Sequence, residues 1–200
     1  MVGRIGKTIA AAAVAAVIGL GTTAPASATL LTNGGFETGD FTGWSVSEVF
    51  SFVGSGPQAP PSFPYAGPKS GTNYALLGQI GNAGTISQGI SDTLGKTYSV
   101  TYWLAGVGDS PSYFDAYWNG TLIAGSDRTD FNSAAVYQKF QFSVVGSGSD
   151  VLLFHERDDP GYMALDSVSI KEVPEPGTLA MLGAGLIGSI AARRKRKARA

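Results

Sequence analysis

The chain of 200 residues has no cysteine and a single histidine, His155. Disulfide staples, thiolate metal sites and a cysteine nucleophile are thereby excluded, so stability has to come from packing, with or without a hard cation. Charge is scarce as well: Asp, Glu, Lys and Arg make up 14% of the residues. The central part of the chain lacks any twelve-residue stretch with a convincing 3.6-residue apolar period, which argues against helices there. Direct repeats at 20 to 50 residues are not evident, which argues against solenoids and propellers. No phosphate loop or helical zinc motif appears. A triad built on His155 would need a serine elbow, and none of the many Gly-Ser steps reads as one. Long hydrophobic runs are confined to the two ends.

Residues 1–28 carry Arg4 and Lys7, an apolar stretch at 9–20, and Ala26-Ser27-Ala28. That is the order of a secretory signal peptide, with the mature chain expected to start near Thr29. At the other end, residues 174–200, Pro174-Glu175-Pro176 precedes an uncharged run at 177–192 and then a basic run at 193–200 holding Arg193, Arg194, Lys195, Arg196, Lys197 and Arg199. The prolines fix their own φ and bias the residues before them toward extended backbone, so Glu175 is presented on a stiff stretch. As a helix, 177–192 would reach about 24 Å against a hydrocarbon core of about 30 Å. Snorkelling by the basic run makes up the difference, and the positive-inside rule keeps that run cytoplasmic.

Between these ends lie residues 29–173, enough for one domain with a real core. Six Lys and Arg stand there against fourteen Asp and Glu, a net charge of −8 that the whole-chain value of −1 conceals. Such a body is expected to avoid nucleic acid and anionic lipid, and it could hold a hard cation. Short alternating runs rich in Val, Tyr, Phe and Thr, separated by Gly, Ser, Asn and Asp clusters, predict strands at 44–50, 73–77, 85–90, 97–105, 114–118, 121–124, 137–145, 151–156 and 163–171. The fold class that follows is all-β, a jelly-roll sandwich. Tyr98, Val100, Tyr102 and Leu104 share one face of their strand, and Phe140, Phe142 and Val144 oppose Lys139, Gln141 and Ser143. Asn119-Gly120 predicts a type I′ hairpin. Residues 54–68, with five prolines, read as a long loop without ladder hydrogen bonds that could form a binding rim. Glu156, Asp158 and Asp159 read as a charged turn before the last strand.

Two sets of residues could carry a site. Asp166 has the same parity as Ala164, Val168 and Ile170, so a carboxylate is expected on an otherwise apolar face, where it needs a cation, several donors or a raised pKa. Sugar rings stack on flat aromatic faces while carboxylates and amides take their hydroxyls. Trp44, Tyr102, Trp103, Tyr113, Tyr117 and Trp118 are available for stacking. Trp44 reads as core, and Trp103 as either core or a platform. Tyr113 is the best surface candidate, in a loop at 106–115 that also offers Asp109 and Asp115. The fourteen acids leave many combinations for a glycosidase carboxylate pair and single out none.

The order of Pro-Glu-Pro, apolar run and Arg/Lys cluster closely resembles the PEP-CTERM sorting signal of Gram-negative bacteria. That resemblance implies recognition of Pro174, Glu175 and Pro176 by an exosortase, a membrane-embedded cysteine transpeptidase. It further implies an intermediate anchored in the inner membrane, then delivery to the cell envelope, surface or extracellular matrix. Within the body, Leu31-Thr32-Asn33-Gly34-Gly35-Phe36-Glu37 with Gly43-Trp44, then Gly71-Thr72-Asn73-Tyr74-Ala75-Leu76-Leu77, then Ala164-Leu165-Asp166-Ser167-Val168-Ser169-Ile170 are similar to the galactose-binding-like jelly roll of several carbohydrate-binding modules. In that fold the equivalents of Glu37 and Asp166 contribute to a structural Ca²⁺ site tying the chain ends together. The residues alone equally allow Asp166 to accept hydrogen bonds from backbone or Arg157, with Glu37 solvated. The expectation is a non-enzymatic, surface-destined sandwich that interacts with polysaccharide or the surface matrix. The alternatives are an exported glycan hydrolase and a structural matrix protein without a small ligand.

Overall fold

Eleven antiparallel strands form two sheets in the computed structural model, which describes residues 29–47, 50–57 and 67–174. The strands are β1 (Ser45–Val46), β2 (Phe52–Ser55), β3 (Asn73–Leu77), β4 (Gly84–Ile90), β5 (Thr97–Ala105), β6 (Ser112–Trp118), β7 (Thr121–Leu122), β8 (Arg128–Thr129), β9 (Gln138–Val145), β10 (Asp150–Asp158) and β11 (Met163–Glu172). The first sheet runs β1-β4-β10-β6-β7, with β8 also on β6; the second runs β2-β3-β11-β5-β9. The described residues contain no helix, hence none long and apolar enough to cross a membrane. The signal-peptide stretch 1–28, Glu175, Pro176, the apolar run 177–192 and the basic run 193–200 lie outside the described residues.

Alternating patterning puts the strands where expected because one face of each is buried. β3 and β5 match their predicted bounds, and β4, β6, β9, β10 and β11 differ by at most two residues at either end. The Asn119-Gly120 turn has φ of 50° and 73°, both positive as a type I′ hairpin requires, and joins Trp118 to Thr121. Inward positions of both sheets make the core, where Tyr102, Phe114 and Phe154 pack with ring centroids 5.2 to 5.5 Å apart. Trp44 caps it against Phe154 at 6.2 Å. Burying each such aromatic contributes on the order of 2 to 3 kcal/mol.

Four expectations are corrected. Residues 54 and 55 belong to β2, pairing with Tyr74 and Asn73. The ladder stops before Pro57, which has no N–H to donate. β8 is an added strand, held by pairing of Arg128 with Phe114. Tyr113 lies in β6, which begins at Ser112, and not in a loop. Finally, β10 continues through Glu156 and Asp158, because its pairing with Phe114 and Ser112 of β6 continues.

The last strand holds the largest departure from simple alternation. Asp166 pairs with Trp103 and Ser169 with Thr101, so β11 spends three residues where β5 spends two. Ser167 is the additional residue, in the left-handed region at φ 54°. This bulge reverses strand parity. Leu165 faces the core before it and Val168 and Ile170 after it, whereas Asp166 and Ala164 are turned to the outer side of the second sheet. There Ala164 joins Tyr74, Leu76 and Ala105 in a small satellite cluster. The expectation that Asp166 shares a face with Val168 and Ile170 is therefore overturned by one inserted residue.

Glu156 and Asp158 occupy inward positions at one end of the sandwich, and Asp158 is 1% exposed. Burial, then repulsion from Asp109, Asp159 and Asp130, pushes the Asp158 carboxyl up to about 7. Its folded pKa exceeds the ordinary 3.8, so the folded state holds the proton more tightly. That group's contribution to stability is therefore fully present below about pH 4 and is lost as pH rises through about 7. Asp158→Asn should raise the melting temperature at pH 8 and much less at pH 5. An equal shift at both pH values would show that the carboxylate is not ionised at a cost in the folded protein.

Candidate functional site

The opening segment occupies the place beside β11 that β3 vacates after Leu165. Leu30 N donates to Ile170 O at 2.9 Å and Val168 N to Gly34 O at 2.7 Å, so the opening segment and the last strand are laced together across the bulge. Asn33 organises the approach: its amide donates to the carbonyls of Asp40 and Thr42, and its own carbonyl accepts from the Trp44 indole at 3.1 Å. Gly34 is required by space, since a Cβ there would lie 2.1 Å from Val168 O.

This lacing brings Glu37 and Asp166 together. The Glu37 carboxylate accepts from Thr72 N at 3.0 and 3.1 Å and from Asn73 N at 3.3 Å. Asp166 accepts from Ser70 N at 3.0 Å and from the main chain and hydroxyl of Ser167. Burial pushes the Asp166 carboxyl up, opposed by main-chain N–H groups of Ser70, Ser167 and Lys69. Arg157 instead pairs with Asp159. A Cβ on Gly35 would sit 3.8 Å from Asp166 Oδ1 and 4.0 Å from Glu37 Oε1, so both carboxylates border one small glycine-lined space. Among the described residues neither carboxylate is in an ion pair, and no third Asp, Glu or His joins them. A hard cation would thus have two carboxylates and would draw its remaining oxygens from main chain or amides.

A second arrangement lies on the outer face of the first sheet. Tyr113, Asp115 and Tyr117 alternate outward along β6, opposite Arg157, His155 and Leu153 of β10. His155 sits between the tyrosines, 5.2 Å from the Tyr113 ring and 6.2 Å from the Tyr117 ring, with Asp115 Oδ2 3.6 Å from its Nδ1. Burial raises the Tyr113 hydroxyl above its ordinary value, and the nearby Asp115 and Glu156 carboxylates add to it while Arg157 opposes. The hydroxyl is therefore a neutral donor at physiological pH. A cleft of about 200 Å³ lined by Tyr117, Gly120, Leu153 and His155 opens beside these rings. The face offers flat rings, one carboxylate and an imidazole within one patch.

Of the four residues expected to bind sugar, the fold places Tyr113 and Asp115 on this patch and the other two elsewhere. Asp109 turns toward the β10–β11 connection, where a Cβ on Gly161 would meet its Oδ2 at 1.9 Å. Trp103 is on the outer face of the second sheet, across the sandwich, with Lys69 Nζ 4.3 Å from its ring centroid. His155 was absent from the expected site because its cross-strand partner, Asp115, is set by register and not by spacing in the chain. Pro174 is exposed, one residue past Val173, whose N–H donates to Thr97 O at 2.8 Å.

Comparison with known proteins adds a family signal and a fold. The family model described as "PEP-CTERM protein-sorting motif" matches residues 172–197. No curated protein matches the chain. Among solved structures, the CBM22-1 xylan-binding domain from Paenibacillus barcinonensis aligns with TM-score 0.52 at 16% identity, over 77% of this chain and 100% of that one. The CBM22-1-GH10 modules of Clostridium thermocellum endo-1,4-beta-D-xylanase 10B align with TM-score 0.51 at 12% identity, over 76% and 29%. The enzymatically active domain of bacteriophage CBA120 tailspike protein 4 aligns with TM-score 0.50 at 13% identity, over 72% of this chain and 21% of that one. At such identities the likeness concerns the fold. The chain thus carries a PEP-CTERM sorting motif at residues 172–197, behind a body with the jelly-roll fold of carbohydrate-binding modules.

Proposed function

We propose that this protein is exported, sorted to the cell envelope through its PEP-CTERM motif, and binds carbohydrate without cleaving it. The observation that carries the binding reading is the patch in which Tyr113 and Tyr117 flank His155 with Asp115 in reach. Aromatic faces stack on the C–H faces of sugar rings, and the carboxylate and imidazole accept or donate to hydroxyls. Glycoside cleavage uses two carboxylates on either side of the scissile bond. Among the described residues the rings here have Asp115 beside them, while the next carboxylate, Asp159, is held in its ion pair with Arg157, an arrangement that favours a binding module over a hydrolase. Similarity of fold to a xylan-binding domain supports the same class.

Calcium belongs to the proposal as a structural ion held by Glu37 and Asp166. It would neutralise two carboxylates that share a space without a cationic side chain, and it would fasten the opening segment to the last strand. The full-length chain should then melt at a higher temperature in calcium than in chelator. Asp166→Asn should abolish most of that difference, and identical melting in the two conditions would remove calcium from the account.

Binding is tested on a glycan array probed with the full-length chain, followed by titration of the strongest neutral ligand. Tyr113→Ala and Tyr117→Ala should each weaken that ligand by about fivefold or more, roughly 1 kcal/mol, as exposed aromatic anchors do. Unchanged affinity in the double variant, or an array without signal, overturns the site.

Sorting is tested in cells. Replacing Pro174, Glu175 and Pro176 with alanine leaves the apolar and basic runs intact, so the chain should still insert but should accumulate at the inner membrane with its tail attached. Intact-mass measurement of envelope fractions decides it: normal processing of the triple variant would mean that Pro-Glu-Pro is not what the processing enzyme reads.

A further inference from the structure

The outer face of the second sheet collects positive charge in a domain that otherwise has little. Of the six Lys and Arg between residues 29 and 173, three, Lys69, Lys139 and Lys171, lie on this one face. Register sets out their neighbours as a grid. Lys139 of β9 stands directly across from Trp103 of β5, and Gln141 across from Thr101. On the other side of β5, Ser169 of β11 faces Thr101 and Lys171 faces Ser99. Adjacent rows are two residues apart along a strand, about 7 Å.

Two clefts share this surface. One of about 480 Å³ is lined by Trp103, Lys69, Pro68, Val136 and Tyr137, and the next, of about 330 Å³, by Ser99, Thr101, Lys139, Gln141, Ser169 and Lys171. Asp166 lies beneath, buried and bonded to Ser70 and Ser167, so it presents no charge to solvent here. Among the described residues, none of the three lysines is in an ion pair. Lys69 rests over the Trp103 ring, and Lys139 donates to the neutral amide of Gln141 at 3.0 Å. Cations brought together without an acidic partner on a body of net charge −8 give this face a local positive field that attracts a negatively charged ligand.

We infer that this face is a second binding site, distinct from the tyrosine patch across the sandwich, and that its ligand is an anionic polysaccharide. Each element of the surface has a counterpart in such a polymer. Carboxylates on successive sugars meet lysines spaced along the strands, ring C–H faces meet Trp103, and hydroxyls meet the rows of Ser, Thr and Gln. Lys69, on an exposed flexible stem, can leave the indole to take a carboxylate. An anionic bilayer would also attract three lysines, but the indole is half-buried in a cleft beneath Lys69 and does not project as an interfacial anchor. The polysaccharide is therefore the occupant that the surface favours.

The experiment titrates the full-length chain, in a neutral detergent without a sugar headgroup, with polygalacturonate and with the same polymer fully methyl-esterified. Polygalacturonate should bind at least about tenfold more tightly than its ester, and added salt should erase that difference. Joint replacement Lys69→Gln, Lys139→Gln and Lys171→Gln should cost about tenfold or more toward polygalacturonate with the melting temperature unchanged, and Trp103→Ala should weaken both polymers. Tyr113→Ala with Tyr117→Ala should leave polygalacturonate binding as it is, which separates this site from the one proposed above. The inference is overturned if charged and esterified polymers bind alike, if the triple lysine variant binds like the parent, if only the tyrosine variant loses binding, or if polygalacturonate does not bind at all.

Discussion

One additional residue in the last strand sets how the opening segment at 30–37 joins that strand. Ser167, held at φ 54°, costs roughly 1 kcal/mol or more in backbone strain. In return it turns Asp166 away from the apolar interior and toward the segment that carries Glu37. A carboxylate facing the core without partners would cost several kcal/mol. On the outer side it receives the N–H groups of Ser70 and Ser167, and the Gly34 carbonyl takes the N–H of Val168. The bulge, the glycines at 34 and 35 and the two carboxylates are thus parts of a single junction. Loss of Asp166 would take away the acceptor of the Ser70 N–H, and a side chain at Gly34 would collide with the Val168 carbonyl.

Both sheets keep outer-face positions open to solvent, on the second sheet beside the satellite cluster, and the two faces differ in kind. The first presents tyrosines around a histidine with Asp115 beside it. The second presents lysines, hydroxyls, amides and one tryptophan. A sandwich allows this because alternation separates what each strand gives to the core from what it gives to solvent. The inner faces are constrained by packing density, whereas the outer faces can diverge with little consequence for the fold. The sorting motif is close to this machinery as well: its match starts at Glu172, the final residue of β11, and the Val173 N–H still bonds to Thr97.

Much of the fold was legible because its strands are half-buried. Tyr98, Val100, Tyr102 and Leu104 announce β5 by alternation alone, and Asn119-Gly120 announces the hairpin by the φ values that only such residues adopt readily. Short strands were the ones missed. β2 and β8 have too few residues for a period to appear, and they exist because β3 and β6 offer unpaired edges. Glu156 and Asp158 follow a related logic: charged residues suggest a turn, yet β6 continues to pair with them. Of the candidate site residues, Tyr113 and Asp115 fell together because they are two apart on one strand. Asp109 and Trp103 did not, since nothing local says on which side of a sandwich a residue will end.

By itself, the sequence determined the sorting motif at 172–197, the acidic cysteine-free body, the all-β class and the order of its main strands, because each depends on composition or on the pattern of a single segment. Tertiary structure decided the parity of Asp166, the pairing of His155 with Asp115 and the gathering of Lys69, Lys139 and Lys171. All three depend on register between strands far apart in the chain, and register is set by the whole core packing at once, with a one-residue bulge sufficient to turn every later side chain to the opposite face.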